Sequence, residues 1–386
     1  MLAVGAFAKG GNVTELQPAG GPIGGAQSLG QSSLRTGAAT RSEAKLVPEG
    51  GTRLVDAADR PGSTSNAQPV SAIASGAPVF MFSGQGSQKP GMGADLFAVE
   101  EVRATFACAS DVLGFDVADL VLNAEPEKLN DTRNAQPALC ALSVAVARAL
   151  MARGVEPAAV LGFSLGQVSA LAVSGMLADE ATFALVKARS ELMAEAAAAH
   201  PGAMSALLKA DEDAAQALCD ECAEGDVLVP ANFNCPGQIV VAGTPEAVER
   251  AEAAWAAAGK RSSRLATSGA FHSPLMADAA AGLAHYLEGV EFSEARIPLI
   301  CNVDARPLAA ADAREHLVRH LTSPVRFQQS VEALAPVGAD TFVEVGFGGV
   351  LANLVKRIDK TATRACVQDR ASFDALLAAQ AAPDSE

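Results

Sequence analysis

The sequence is poor in aromatic residues: one tryptophan, one tyrosine and 15 phenylalanines make up only 4% of its 386 residues. Because hydrophobic residues nevertheless account for 49% of the chain, the core must be built mainly from alanine, valine and leucine. The chain also lacks any uninterrupted apolar run near the ~18–20 residues that cross a bilayer. These absences predict a soluble protein that does not act within a membrane.

Basic residues are scarce as well. The chain has 29 Lys and Arg against 44 Asp and Glu, which gives a formal net charge of −15. Since nucleic-acid phosphates are bound by clustered Lys and Arg, this balance argues against a nucleic-acid-binding role. An acidic partner or substrate must be met by a local positive group, because the field of the whole protein has the wrong sign.

The cysteines lack the regular spacing of a disulfide framework or a zinc site. They are seven in number and widely scattered, which indicates free thiols in a reducing compartment. Cys219 and Cys222 form a C-x-x-C pair inside a helical pattern, and no second pair completes a metal-binding set. The sequence therefore predicts a cytoplasmic protein without a bound metal.

The first 76 residues lack the composition of a folded core. They are rich in Gly, Ser, Ala, Thr and Pro, contain one aromatic residue, Phe7, and show no sustained hydrophobic period. Such a segment cannot bury enough apolar surface to offset the entropy lost on ordering. We predict a disordered extension over residues 1–76 and a flexible tail over residues 380–386.

The most informative stretch is residues 158–177. It begins with a short apolar run that predicts a buried strand, continues as G-x-S-x-G around Ser164, and ends in a helical pattern. Strand, tight turn and helix in this order form a nucleophile elbow, in which the turn exposes one hydroxyl and the glycines leave room for neighbouring backbone. Ser164 is therefore the predicted nucleophile, and it requires a base and N–H donors for the anionic intermediate.

The elements around this turn indicate an α/β fold. An apolar strand at residues 77–82 is followed by a glycine-rich loop and helical segments before the elbow strand, which predicts a hydrolase-like parallel sheet. Residues 202–268 show the order β-α-β-β-α-β, which predicts an inserted ferredoxin-like α+β subdomain. The large α/β domain then comprises residues 77–201 and 269–379.

Several segments together resemble one enzyme family. Residues 82–88 (FSGQGSQ), 162–167 (GFSLGQ), 270–272 (AFH) and 344–346 (EVG) occur in the order and spacing found in malonyl-CoA:acyl-carrier-protein transacylases of bacterial type II fatty-acid synthesis. The resemblance covers roughly residues 77–369. Several linked motifs make it much more specific than G-x-S-x-G alone.

The resemblance implies a role for each matching residue. Ser164 would be the nucleophile and His272 the general base that takes its proton. The backbone carbonyl of His320 would hold the second ring nitrogen of His272, which fixes the tautomer as a carboxylate would. The backbone N–H groups of Gln85 and Leu165 would form the oxyanion hole.

Substrate selection is implied in the same way. Arg189 would bind the malonyl carboxylate through a bidentate pair, which a lysine could not reproduce. The chain departs from the family pattern at Phe163 and Gln167, where most relatives have histidine and glutamate. We expect Phe163, Phe271 and Asn302 to line the substrate pocket.

The implied reaction is ping-pong transfer of a malonyl group from malonyl-CoA to the phosphopantetheine thiol of holo acyl carrier protein, for fatty-acid biosynthesis. No metal or tightly bound cofactor is expected, the carrier protein and the coenzyme A thioester are the expected partners, and a monomer is the expected state. An acyltransferase of a polyketide pathway, an acyl hydrolase of the same fold and a non-catalytic docking module remain as alternatives.

Overall fold

The structure is a computed structural model that describes residues 70–267 and 269–381. Within these residues the strands are β1 (Pro78–Phe82), β2 (Ala159–Gly162), β3 (Ala203–Leu208), β4 (Leu228–Cys235), β5 (Gln238–Gly243), β6 (Ser262–Arg264), β7 (Leu299–Ile300), β8 (Thr341–Val345) and β9 (Thr363–Val367). The helices are α1 (Glu100–Leu113), α2 (Val117–Asn123), α3 (Pro126–Asn130), α4 (Thr132–Met151), α5 (Gly166–Ser174), α6 (Asp179–Ala199), α7 (Glu212–Cys222), α8 (Pro245–Ala257), α9 (Ala277–Leu287), α10 (Ala310–His320), α11 (Phe327–Glu332), α12 (Val350–Ile358) and α13 (Arg370–Ala381).

Five strands form a parallel sheet in the order β7-β2-β1-β8-β9. The central strand β1 is buried at every position, because alternate side chains point into two separate layers. Phe80 and Phe82 pack in a cluster with α1, α4, α5 and α6, whereas Val79 and Met81 pack in a cluster with α11 and α12. A parallel sheet with helices on both faces is the layered α/β arrangement, so the predicted fold class is confirmed at this level.

The second sheet is antiparallel, with strand order β4-β5-β3-β6. One face, including Leu207 and Val241, packs against α7 and α8. The opposite face, including Met204 and Val240, packs against Ala270 and its neighbours. Residue 272, which belongs to the candidate site, therefore lies only two positions after a residue that packs on the surface of this smaller sheet.

Residues just before the predicted boundary at residue 76 make ordered contacts. Of the predicted disordered extension, residues 1–69 lie outside the described residues. Ile73, however, is buried, and its amide donates to the carbonyl of Val337 at 2.6 Å. Ser75 donates to Asp340 at 2.6 Å. The prediction of disorder over residues 70–76 is wrong, because it considered only local composition and these contacts come from residues distant in sequence.

The predicted tail also begins too early. Gln380 lies within α13, which continues to Ala381, while residues 382–386 lie outside the described residues. The small and polar residues that suggested a flexible tail include alanine, which equally favours a helix, and Phe373 anchors that helix in the core. None of the described helices has the length and apolar character needed to cross a membrane.

Two glycines allow the turn after β2 to pass very close to neighbouring backbone. A Cβ atom on Gly162 would lie 1.9 Å from the carbonyl carbon of Gly166, and one on Gly166 would lie 1.9 Å from the carbonyl oxygen of Phe82. Real Cβ atoms do not approach backbone so closely. The glycines of G-x-S-x-G are therefore required by contact between β2, α5 and β1.

A buried carboxylate holds the glycine-rich loop that follows β1. Glu344, near the end of β8, accepts a hydrogen bond from Ser83 at 2.8 Å. It also accepts from the backbone amides of Val350 and Ala352 at the start of α12, at 3.1 and 2.9 Å. Burial nevertheless raises the pKa of Glu344. One side chain thus fixes both the loop that leads to Gln85 and the N-terminus of a helix.

The tight turn gives the first testable prediction. We expect Gly162→Ala to lower the free energy of unfolding by about 1–3 kcal/mol, because the methyl group must displace backbone. Gly289→Ala is the matched control, since a Cβ there meets nothing within 4 Å. Urea unfolding followed by circular dichroism compares the two variants. Equal midpoints would show that the turn can open without cost.

Candidate active site

Ser164 lies at the tip of the turn between β2 and α5. Its φ is 51°, in the left-handed region that costs a non-glycine residue about 1–3 kcal/mol and that is concentrated at functional sites. Its amide donates to Oδ1 of Asn302 at 2.8 Å. The strained backbone is therefore held by a side chain from the neighbouring strand end, and the hydroxyl remains partly exposed.

His272 lies against this hydroxyl. Its Nε2 is 2.7 Å from Ser164 Oγ, and its Nδ1 is 2.9 Å from the carbonyl oxygen of His320 and 3.2 Å from that of Ser323. Carbonyl oxygens only accept hydrogen bonds, so Nδ1 carries the ring proton and Nε2 presents its lone pair to the serine. The structure brings together the nucleophile, base and orienting carbonyl that the sequence predicts.

The environment of His272 keeps its ring neutral. Burial, followed by the nearby positive charge of Arg189, lowers the pKa of His272 to about 4, while the carbonyls of His320 and Ser323 act in the opposite direction. A base must be unprotonated to accept a proton. At neutral pH the ring is therefore ready to take the serine proton.

Arg189 is a buried cation beside the same hydroxyl. Only 3% of the residue is exposed, its Nη2 is 3.3 Å from Ser164 Oγ, and its Nη1 donates to Oε1 of Gln136. Burial lowers its pKa to about 10, so the group stays charged at neutral pH. None of the ion pairs found among the described residues includes Arg189. An uncompensated buried guanidinium favours an anionic ligand.

The proposed oxyanion-hole residues lie on the two segments that border Ser164. Leu165 follows the nucleophile directly, and Gln85 lies in the loop whose Gly84 approaches the carbonyl of Phe163 so closely that a Cβ there would be 2.7 Å away. The backbone N–H groups of Gln85 and Leu165 donate to no other residue within the described part of the chain. Both remain available to a ligand oxygen.

Asn302 is not in the pocket where the sequence placed it. The residue has no exposed surface. Besides accepting from Ser164, its side chain donates to the carbonyl of Gly162 at 2.7 Å, and its amide donates to Oε1 of Gln167 at 2.7 Å. The prediction is wrong because Asn302 lies behind the turn and bonds to its backbone. It acts as a positioning residue for Ser164.

The two predicted pocket phenylalanines are half-buried on either side of the site. Phe163 packs against Phe327 with ring centroids 5.7 Å apart, and Phe271 contacts the cores of both sheets. Sequence reasoning missed Gln136, which is buried in the apolar helix α4 and bonds to Arg189. The sequence feature that could have indicated Gln136 is an amide at the start of a largely apolar helical stretch.

A cleft of about 540 Å³ begins at Gln85. Its walls come from the start of α4, the end of α6 and the segment after β6, and include Thr132, Arg133, Ala197 and Thr267. Ser164 is not itself among the lining residues. The cleft therefore reaches the loop that carries Gln85.

Comparison with known proteins places these features in a family. Residues 79–372 match the family model described as an acyl transferase domain. The malonyl CoA-acyl carrier protein transacylase of Salmonella typhimurium is 43% identical over 302 residues, which cover 77% of this chain and 98% of that protein. The enzyme of the same name from Bacillus subtilis is 40% identical and covers 75% and 93%.

Solved structures agree in fold. The malonyl-CoA:acyl carrier protein transacylase (FabD) of Xanthomonas oryzae aligns with a TM-score of 0.77 at 41% identity, over 80% of this chain and 99% of that one. A malonyl-transacylase solved with a type II polyketide acyl-carrier protein aligns with a TM-score of 0.76 at 43% identity, over 78% and 99%. The chain belongs to the malonyl CoA-acyl carrier protein transacylases of the acyl transferase family.

Proposed function

We propose that the protein transfers the malonyl group of malonyl-CoA to the phosphopantetheine thiol of holo acyl carrier protein, through an ester on Ser164, and supplies malonyl groups for fatty-acid biosynthesis. One observation carries the proposal. The same oxygen, Ser164 Oγ, lies 2.7 Å from Nε2 of His272 and 3.3 Å from Nη2 of Arg189. The oxygen that would be acylated is therefore next to both a base for the nucleophile and a cation for a carboxylate.

The first half-reaction forms the ester. Ser164 Oγ attacks the thioester carbonyl while Nε2 of His272 takes its proton, and the N–H groups of Gln85 and Leu165 receive the developing oxyanion. The carbon–sulfur bond then breaks, and the departing coenzyme A sulfur takes the proton from Nε2. The enzyme is left as a malonyl ester with His272 neutral again.

The second half-reaction repeats these steps in reverse with a different thiol. The phosphopantetheine thiol gives its proton to His272 and attacks the ester, and Ser164 leaves with that proton. Because one thioester replaces another, the transfer is close to thermoneutral, and its success depends on keeping water out until the second thiol arrives. The chemistry we propose uses no metal or tightly bound cofactor.

Arg189 supplies the preference for a dicarboxylic acyl group. Gln136 holds one nitrogen of the guanidinium, and the other faces Ser164, so a malonyl carboxylate next to the ester would meet a fixed, planar donor pair. A neutral acyl group such as acetyl would leave the buried cation unpaired. This argues against an unselective acyl hydrolase.

The supporting architecture fits the same proposal. We interpret the turn at Ser164 as a nucleophile elbow, since a buried strand, a left-handed serine and a helix follow one another there. We interpret the β-α-β-β-α-β segment from β3 to β6 as a ferredoxin-like subdomain.

The seven free cysteines fit a cytoplasmic enzyme, and we take the monomer as its working state.

A polyketide carrier is the second candidate partner. The malonyl-transacylase structure that aligns at 43% identity was solved in complex with a type II polyketide acyl-carrier protein. The site chemistry described above is the same for either carrier, because both present a phosphopantetheine thiol. Only the protein surface around that thiol distinguishes them.

The ester predicts a direct mass-spectrometric result. Brief incubation with malonyl-CoA should add one malonyl mass to the intact protein, and holo acyl carrier protein should remove it and acquire it. Ser164→Ala should show no adduct, whereas Ser169→Ala, at a buried serine on α5, should behave as the unchanged protein does. Loss of the adduct at one rate with and without carrier would indicate a hydrolase, and no adduct from any acyl-CoA would leave the docking module.

Replacement of Arg189 should separate malonyl from acetyl transfer. We expect Arg189→Ala to lower kcat/KM for malonyl-CoA by about 10–150-fold, the equivalent of a charged hydrogen bond, with little loss for acetyl-CoA. Arg189→Lys should recover only part of the difference because an ammonium cannot form the planar pair. Lys187→Ala, two residues away on α6, is the control. An equal loss on both substrates would contradict the assignment.

The lowered pKa of His272 predicts an unusual pH profile. A histidine base normally loses activity as pH falls through about 6.5. Because the pKa of His272 is about 4, kcat/KM for acylation should stay flat from pH 8 to about pH 5 and fall only below that. Arg189→Ala, which removes one cause of the shift, should move the midpoint upward. Circular dichroism at each pH confirms that the protein is folded, and a midpoint near 6.5 would overturn the prediction.

A further inference from the structure

Three potential metal ligands converge outside the active site. Cys301 and Asp304 lie in the turn after β7, and His316 lies on α10. One ligand atom from each residue lies within 4.8 Å of the other two. Two backbone hydrogen bonds close this turn. The amide of Ala305 donates to the carbonyl of Cys301 at 2.9 Å, and the amide of Cys301 donates to the carbonyl of Arg306 at 2.8 Å.

The hydrogen bonds of His316 imply that a proton or a metal ion lies between two of these groups. Nδ1 of His316 donates to the carbonyl of Asp312 at 3.0 Å, so in the neutral ring Nε2 has a lone pair. That lone pair faces the carboxylate oxygen Oδ2 of Asp304 at 3.1 Å. Two acceptors at this distance repel unless a proton or a metal ion lies between them. Metal-bound histidines characteristically donate their second nitrogen to a carbonyl in this way.

The donor set and its spacing suit zinc. Cysteine sulfur, histidine nitrogen and carboxylate oxygen are its usual ligands, at about 2.0–2.3 Å, and a tetrahedral ion therefore separates neighbouring ligand atoms by about 3.3–3.6 Å. The 3.1 Å between His316 and Asp304 is close to this value. The Cys301 sulfur, which lies within 4.8 Å of both atoms, needs to move by up to about 1.3 Å. The side chains of His316 and Asp304 are 14% and 28% exposed, so water can enter as a fourth ligand.

We propose that Cys301, Asp304 and His316 form a Zn²⁺ site with three protein ligands. Binding replaces the proton on Cys301 Sγ with a zinc–sulfur bond and releases that proton, together with any proton on Nε2 of His316, to solvent. The surrounding groups act on the thiolate form of Cys301 in two opposite directions. Burial and then the charge of Asp304 raise the pKa of Cys301 to about 12, but the amide of Gln167 and the backbone N–H groups of Val303 and Asp304 act in the opposite direction. A bound cation favours the thiolate and so opposes the effect of burial on the pKa of Cys301.

The site joins the two elements that position the catalytic pair. Cys301 precedes Asn302, which bonds to the amide of Ser164. His316 lies one helical turn before His320, whose carbonyl bonds to His272. Zinc would therefore link the turn that holds the nucleophile to the helix that holds the base. Its binding should stabilise the folded protein, since a ligand that binds only the folded state raises the melting temperature.

Cobalt substitution and zinc titration of the full chain test the site. After treatment with a chelator, the unchanged protein should bind one equivalent of Co²⁺ and show a thiolate-to-cobalt charge-transfer band that one equivalent of Zn²⁺ abolishes. Cys301→Ser should lose the band. His316→Gln and Asp304→Asn should bind Zn²⁺ at least about tenfold more weakly. Zinc should raise Tm by a few degrees in the unchanged protein and by less in these three variants.

Matched controls remove the same residue types elsewhere. Cys366→Ser replaces another free thiol whose pKa is raised to about 12 by burial, and His285→Gln replaces an exposed histidine on α9. Both should keep full binding. The proposal is overturned if the unchanged protein shows no thiolate band, which would mean that only a proton lies between His316 and Asp304. It is equally overturned if zinc affinity is unaffected by the three site variants, or is lost in the controls as well.

Discussion

The side chain of Asn302 makes the two hydrogen bonds on which the active-site geometry depends. It accepts from the amide of Ser164 at 2.8 Å and donates to the carbonyl of Gly162 at 2.7 Å, and thus spans the tight turn from one end to the other. Ser164 has a strained φ of 51°, which persists only if its surroundings oppose relaxation. Without this support, the hydroxyl would lose its alignment with both His272 and Arg189.

The charge beside the nucleophile is opposite in sign to the net charge of the whole chain. The chain carries a net charge of −15, yet the charged side chain that contacts the nucleophile is the buried cation Arg189. The same charge helps to lower the pKa of His272, so in the proposed mechanism substrate recognition and the protonation state of the base share one cause. A carboxylate ligand would partly neutralise Arg189 and so favour the imidazolium that forms during attack.

Sequence patterns predicted the parts of the fold that depend on local constraints. The strands β1 and β2 follow from short apolar runs, and the turn at Ser164 follows from glycines that nothing larger could replace. The patterns did not reveal β9, whose residues are mostly half-buried, since an edge strand lacks the strong apolar signature of a central one. They also misplaced Asn302, because its partners lie more than a hundred residues away along the chain.

The carbonyl behind His272, in place of a carboxylate, fits the malonyl substrate of the proposed reaction. In a serine–histidine–aspartate triad, the aspartate stabilises the imidazolium. Here the carbonyls of His320 and Ser323 fix the same tautomer without a charge. A buried aspartate at that position would compete with the malonyl carboxylate for the field of Arg189 and would weaken the preference for a charged acyl group. A neutral acceptor orients the base and, in the proposed mechanism, leaves Arg189 as the cation that selects the substrate.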